Sequence, residues 1–428
     1  MLEVSFGTPQ KKPTFAPKLL YLLGLVSLFL LPALGRLTLA HLFFTIFALY
    51  LISWLVSAKL VMPFLSFLKK NRLFALLALL YFISTSIAAV KEKNPMGLLA
   101  SLMFLGVFWG AAVVYFMEEQ GQNTLFLFFL RGFCHSAVVT SFILLVDVWL
   151  YRTSGKILLQ YLPTFLTTPA GEHVLINTDH PLAPYLSFWH PLRPAAFSWD
   201  PGLNIPALVI AFVVINEGLL IMKYNRLVRF FLLLGIFLSF SKTSVIACLA
   251  YLLLKGIFFV LRHKEKAQSF MERWFPLLLF LFLFHIGFFF AYEALPMTYS
   301  RHLKYLGSVV YLVKTSVWDI LFGFGYRRTG YFLLNHVPWF QQDKQFDPYA
   351  DIESLLTNVF LWGGAMGSLF WLYSYVKAYM GSKRQERLLL LVIMFLSFGY
   401  NFHTVWFLFF YLSFLWHQLK REEPQSGV

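Results

Sequence analysis

The sequence predicts an all-α fold: a polytopic integral membrane protein with about twelve transmembrane helices. Three observations carry this. Hydrophobic residues make up 59% of the 428-residue chain, charged residues only 13%, and the mean hydropathy is +0.68. No soluble globular domain has that balance. The apolar residues fall into runs long enough, or nearly so, to cross a bilayer, and the short connections between them are basic. The whole chain, 1–428, reads as a single transmembrane domain with two long outer-face loops, 152–204 and 296–353.

The apolar runs are 19–35, 38–57, 73–90, 96–117, 125–150, 203–222, 228–241, 243–261, 275–294, 354–377, 387–400 and 403–418. Fifty Phe and 12 Trp suit lipid-facing helices with interfacial rings. The stretch 58–68 is too short to cross and reads as an interfacial helix or an extension of the second run. No cleavable-signal pattern opens the chain, and no repeat relates its halves.

Direction follows from the basic connections. Lys69, Lys70 and Arg72 follow the second run; Lys223, Arg226 and Arg229 follow the sixth. Arg262, Lys264, Lys266 and Arg273 follow the eighth; Lys383, Arg384 and Arg387 follow the tenth; Lys420 and Arg421 follow the last. Short basic connections are cytoplasmic, which puts both termini in the cytoplasm. The net charge of +15 is then a signature of membrane orientation rather than of nucleic-acid binding. Glu118, Glu119, Lys91 and Lys93 are exceptions to the pattern. Cys134 and Cys248 both sit in apolar runs and read as core or lipid-facing thiols.

The two outer loops are far longer than ordinary connections and rich in Trp, Tyr, Phe and Leu. They read as short helices lying along the membrane surface. Their charges are not explained by topology. The first loop closes on Arg193-Pro-Ala-Ala-Phe-Ser-Trp-Asp-Pro-Gly-Leu-Asn204. Two prolines and a glycine there hold a cation and the Asp200 carboxylate in a stiff turn at the mouth of an apolar run. The second loop carries Arg301, His302 and Lys304, then Gly323-Phe-Gly325-Tyr326-Arg327-Arg328 and His336. It ends on Asp351-Ile-Glu353-Ser354. Arg193 and Arg301 suit a clamp on two phosphates, with Lys242 in the turn between two runs facing the same compartment. The same cations also suit plain solvation or lipid headgroups. Asp351 and Glu353 suit a base that takes a proton from a sugar hydroxyl, or charges at a helix start, where the dipole favours them. Ser354 and Asp351 are both acceptable caps.

The order of these elements resembles the O-antigen polymerase and O-antigen ligase superfamily of bacterial cell-envelope glycosyltransferases. Arg193, Asp200-Pro201 and Asn204 resemble the family's approach into a central crossing. Ser241-Lys242-Thr243 resembles its Ser-Arg-Thr turn, with lysine where the family usually has arginine. Gly323-Phe-Gly325 resembles its Gly-x-Gly element, and Asp351 to Gly367 resembles the segment that re-enters the membrane. The resemblance covers roughly residues 190–370. The family's ligases carry a His-Asn pair where this chain reads Asp351-Ile-Glu353, which favours the polymerase branch; His336 keeps the ligase alternative open.

What the resemblance implies is a metal-independent transferase at the outer face of the bacterial inner membrane, with no cofactor. Its donor and acceptor are oligosaccharides on undecaprenyl diphosphate, destined for O-antigen, capsule or exopolysaccharide. Arg193, Arg301 and Lys242 hold the diphosphate. Glu353, Asp351 or His336 acts as base, and Asp200, Asn204, Arg327 and Tyr326 touch substrate. Membrane lipids, and in some systems a chain-length regulator, are the implied partners; nucleic acid is not one. A lipid-linked glycan flippase is the non-enzymatic rival. It predicts charge inside the crossings, whereas only Arg131 and Asp147, near helix ends, stand out there.

Overall fold

The computed structural model describes residues 15–28, 32–34, 37–120, 125–156, 158, 201–239, 241–261, 270, 274–276, 278–279, 281–282, 285–286, 304–338, 340, 351–352, 354–399 and 405–419. Within them the protein is a helical membrane protein. The exception is a short antiparallel ribbon, β1 (Pro32–Leu34) and β2 (Leu37–Thr38), pairing Pro32 with Thr38.

Among the described residues, five helices are long and apolar enough to cross a membrane. Four are α4 (Arg72–Lys91), α5 (Pro95–Glu119), α6 (Leu125–Ser154) and α12 (Leu355–Gly381). The fifth is α9 (Lys242–Val260), which qualifies over Thr243–Val260. A bent pair, α2 (Leu39–Ser57) and α3 (Val61–Lys70), turns through 107° and makes a sixth if it counts as one span. The stretch 58–68 therefore belongs mostly to a separate helix.

The other expected runs are helical but short. They are α1 (Ala16–Val26), α7 (Pro201–Asn216), α8 (Asn225–Leu238), α13 (Arg384–Gly399) and α14 (Val405–Leu419). At 1.5 Å per residue, helices of this size reach about 16 to 24 Å, less than the roughly 30 Å of bilayer hydrocarbon. The run 19–35 stops as a helix at Val26 and gives way to the ribbon, and 203–222 stops before Glu217 and Gly218. The run 275–294 lies largely outside the described residues.

Helix starts follow local capping chemistry. Asn94 accepts the Gly97 N–H at 3.0 Å with Pro95 at the first helical position, which needs no N–H donor there. Ser241 caps α9 through Ser244 N–H, and Ser354 caps α12 through Thr357 N–H. Of the two cap candidates before α12, Ser354 takes the role and Asp351 is left for another.

The bundle packs α4 against α12 and α5, α5 against α14, α1 against α6, and α6 against α8. Its centre is aromatic: Phe74 lies 4.9 Å from Trp416 edge to face, and Tyr81 4.6 Å from Phe104. Cys134 and Cys248 are free and buried.

Two of the charge exceptions find partners in space. Glu118 accepts from His417 Nε2 and, at 2.6 Å, from the Phe126 N–H, joining the end of α5 to the start of α6 and the end of α14. Lys91 pairs with Asp319 of the second long loop. That loop carries a 3-10 turn at Val309–Lys314, then α10 (Val317–Phe322) and α11 (Thr329–His336). It forms its own small apolar core around Tyr305, Phe324, Phe332, Leu333 and Val337.

Candidate functional site

The second long loop meets the bundle at a joint between two glycine-bearing segments. Gly364 interrupts α12 with φ +56°, ψ −154°. An interrupted helix leaves carbonyls of the preceding turn without helical donors. Two of them are taken by the loop: Phe324 N–H donates to Leu361 O at 2.8 Å, and Gly325 N–H donates to Trp362 O at 3.0 Å. The approach is too close for a side chain. A Cβ on Gly323 (φ +74°) would stand 2.5 Å from both Gly364 N and Leu361 O. Helix α4 braces the joint, with the Ser84 hydroxyl donating to Gly363 O at 2.7 Å.

Beyond the joint the chain turns over Tyr326. Its ring lies 4.6 Å from Trp362, its hydroxyl 2.9 Å from that of Tyr81, and its carbonyl accepts from Asn94 Nδ2 at 2.7 Å. Asn94 thus ties the loop to the same turn that starts α5. Tyr326 is buried, at 2% exposure, and braces the joint through Trp362, Tyr81 and Asn94.

Arg327 follows with φ +61°, a conformation rare for a side-chain-bearing residue. This turn aims its N–H at Asp351. Asp351 Oδ1 accepts three bonds: Arg327 N–H at 3.0 Å, Thr329 Oγ1 at 3.2 Å and Trp362 Nε1 at 2.8 Å. Among the described residues, Oδ2 accepts none. Thr329 also lies 2.9 Å from Asn358 Oδ1, and Asn358 Nδ2 donates to Ile352 O at 2.8 Å, so α12 holds the residues on either side of the carboxylate's contacts, Thr329 and Ile352. Burial pushes the Asp351 carboxyl up to about 6; the three donors and the nearby Arg327 guanidinium limit the rise. The result is a carboxylate fixed through one oxygen, with the other left to take a proton near neutral pH. The Arg327 side chain itself is exposed beside it.

The other expected site residues divide. His336, at the end of α11, packs against Phe324 and Phe332 with ring centroids at 6.1 and 5.7 Å. Burial lowers its pKa, partly offset by Asp319. Among the described residues it makes no contact with Asp351. Asn204 is fully buried and donates to Leu28 O at 2.9 Å, so it secures the chain after α1. Lys242 is the first residue of α9, but its side chain lies outside the described residues. Arg193, Asp200, Arg301 and Glu353 also lie outside them.

Sequence reasoning missed Thr329, Asn358, Trp362 as a donor, and the braces Tyr81, Ser84 and Asn94. The usable signal was polar residues inside apolar runs, Ser84 and Asn358 above all. It also missed a second polar cluster. Lys255 in α9 pairs with Glu217 at 2.8 Å, Tyr251 donates to the same carboxylate, and Arg229 Nη1 donates to Asn216 Oδ1 at 3.2 Å. Charge within the helical bundle is therefore richer than Arg131 and Asp147 alone.

Beside the head of α12 begins an apolar groove of about 400 Å³. It runs from Leu355 and Val359 past Trp371 and Tyr375 to Met380, with Trp274 and Ile393 among its other walls. The stretch Leu355 to Met380 covers most of a spanning helix.

Compared with protein-family models, curated proteins and solved structures, the chain matches none.

Proposed function

We propose that this protein is a glycosyltransferase of the cell envelope, a polymerase that joins oligosaccharide repeat units carried on undecaprenyl diphosphate. The reading keeps the plan of about twelve crossings, cytoplasmic termini and an outward-facing second loop. The single observation that supports it best is Asp351: a half-buried carboxyl, held through Oδ1, with Oδ2 unoccupied among the described residues. In this reading an acceptor sugar hydroxyl gives its proton to Asp351 Oδ2. Its oxygen bonds to the donor's anomeric carbon, and the bond from that carbon to the lipid diphosphate breaks. The leaving diphosphate needs cations, for which Arg193, Arg301 and Lys242 are proposed, with the exposed Arg327 at the rim. The groove along α12 suits the polyprenyl chain, since it is apolar and starts four residues after Asp351.

The test is glycan size in cells lacking the protein, complemented with native chain or Asp351→Asn. A polymerase leaves single repeat units on the surface acceptor and no long chains when Asp351 is changed. Long chains accumulating on the carrier lipid point instead to a ligase. Repeat units held on the cytoplasmic leaflet sink both and leave the flippase, for which the Glu217–Lys255 cluster is the supporting feature.

A further inference from the structure

Helices α1 and α6 touch backbone to backbone at one place. A Cβ on Gly24 would stand 2.2 Å from Phe129 O, and one on Gly132 would stand 2.1 Å from Tyr21 O. N-terminal to this contact on both helices a notch of about 460 Å³ opens, lined by Pro17, Lys18, Tyr21, Leu22, Phe128 and Arg131. Its walls are apolar rings and aliphatic carbons. Among the described residues its charges are two cations, Lys18 and Arg131, one from each helix. Both are exposed, and among the described residues neither pairs with a carboxylate. The Tyr21 hydroxyl lies 3.0 Å from His135 Nδ1, which holds this lining ring in place.

We propose that this notch binds the headgroup of an anionic phospholipid. The guanidinium of Arg131 offers a planar fork to phosphate oxygens, and the Lys18 ammonium adds a point charge. Leu22, Phe128 and Pro17 cover the glycerol and the first methylenes of the acyl chains. That apolar lining argues for a lipid over a free phosphate ion, which would gain nothing from it. Two cations on neighbouring apolar helices, with no acidic partner among the described residues, also carry an electrostatic cost that an anionic headgroup removes. The site is separate from the joint at Gly323 and Gly364, and it stands whether or not the transferase reading does.

The test uses the full chain in nanodiscs of phosphatidylcholine, with and without phosphatidylglycerol. The readouts are the thermal midpoint and the lipids retained in native mass spectrometry. The native protein is expected to gain thermal stability with phosphatidylglycerol and to retain it on release. K18Q/R131Q is expected to bind it roughly tenfold or more weakly, with its midpoint in pure phosphatidylcholine not lowered. Leu22→Trp, which fills the notch and keeps both cations, is expected to lose the same adduct. K69Q/K70Q, which removes equal charge elsewhere, is expected to keep it. Retention of the lipid by both notch variants, or equal loss in K69Q/K70Q, overturns the proposal. So does equal stabilisation by inorganic phosphate alone, which would make the ligand a soluble anion.

Discussion

The Trp362 indole N–H donates to Asp351 Oδ1 at 2.8 Å, from a position two residues before α12 breaks at Gly364. One side chain thereby couples the orientation of a candidate base to the geometry of a helix kink. Trp362→Phe keeps a ring against Tyr326 and deletes the donor. Loss of one bond to a charged acceptor costs about 1.5–3 kcal/mol in stability. The expected result is a lower thermal midpoint together with reduced glycan polymerisation. Full polymerisation in this variant would show that the Trp362 bond does not position the base.

The pH dependence of Asp351 has a definite sign. Its folded value of about 6 lies above the ordinary 3.8, so the folded protein binds this proton more tightly than the unfolded chain. The stability from that proton is complete below pH 3.8, is lost as the pH rises through about 6, and changes no further above. Activity that needs the ionised carboxylate runs the other way, rising through about pH 6. Asp351→Asn is expected to flatten this part of the melting-temperature profile and to abolish polymerisation. Thermal melts across that range and glycan ladders at matched pH check both.

Gly323→Ala places a Cβ against the backbone of α12 and at a positive φ, so two penalties add. An expected cost of about 3 kcal/mol or more follows from backbone strain at such positions. Gly256→Ala in α9, where nothing lies within 4 Å, serves as the comparison and should be neutral or slightly stabilising. Limited proteolysis within 304–338 reports release of the loop from the bundle. Equal protease resistance in the two variants would count against the joint.

The Lys91–Asp319 pair ties the end of α4 to α10, but the Lys91 side chain is 47% exposed. Solvent screening limits such a pair to about 1 kcal/mol or less. A double-mutant cycle with Lys91→Ala and Asp319→Ala should give a coupling in that range that shrinks with added salt. Asp319 also receives the Ser316 hydroxyl at 2.7 Å in the first turn of α10, so Asp319→Ala is expected to cost more than Lys91→Ala.

The sequence determined by itself that this is a helical membrane protein, and where most helices lie. The expected runs 73–90 and 96–117 became Arg72–Lys91 and Pro95–Glu119, and 354–377 became Leu355–Gly381. Apolar runs, capping residues and prolines act over a few neighbouring positions, so they are legible in order along the chain. It also drew attention to Gly323-Phe-Gly325, to Asp351 and to Trp362-Gly-Gly364, as separate stretches. Only the tertiary structure decided that the first of these hydrogen-bonds the last and that Asp351 sits between them. It decided too that Tyr326 is buried, that Asn204 serves α1, and that Glu118 and Lys91 have distant partners. Those outcomes depend on which backbones can approach and which polar groups must be satisfied once water is excluded. Both are properties of segments far apart in the chain, which local pattern does not encode.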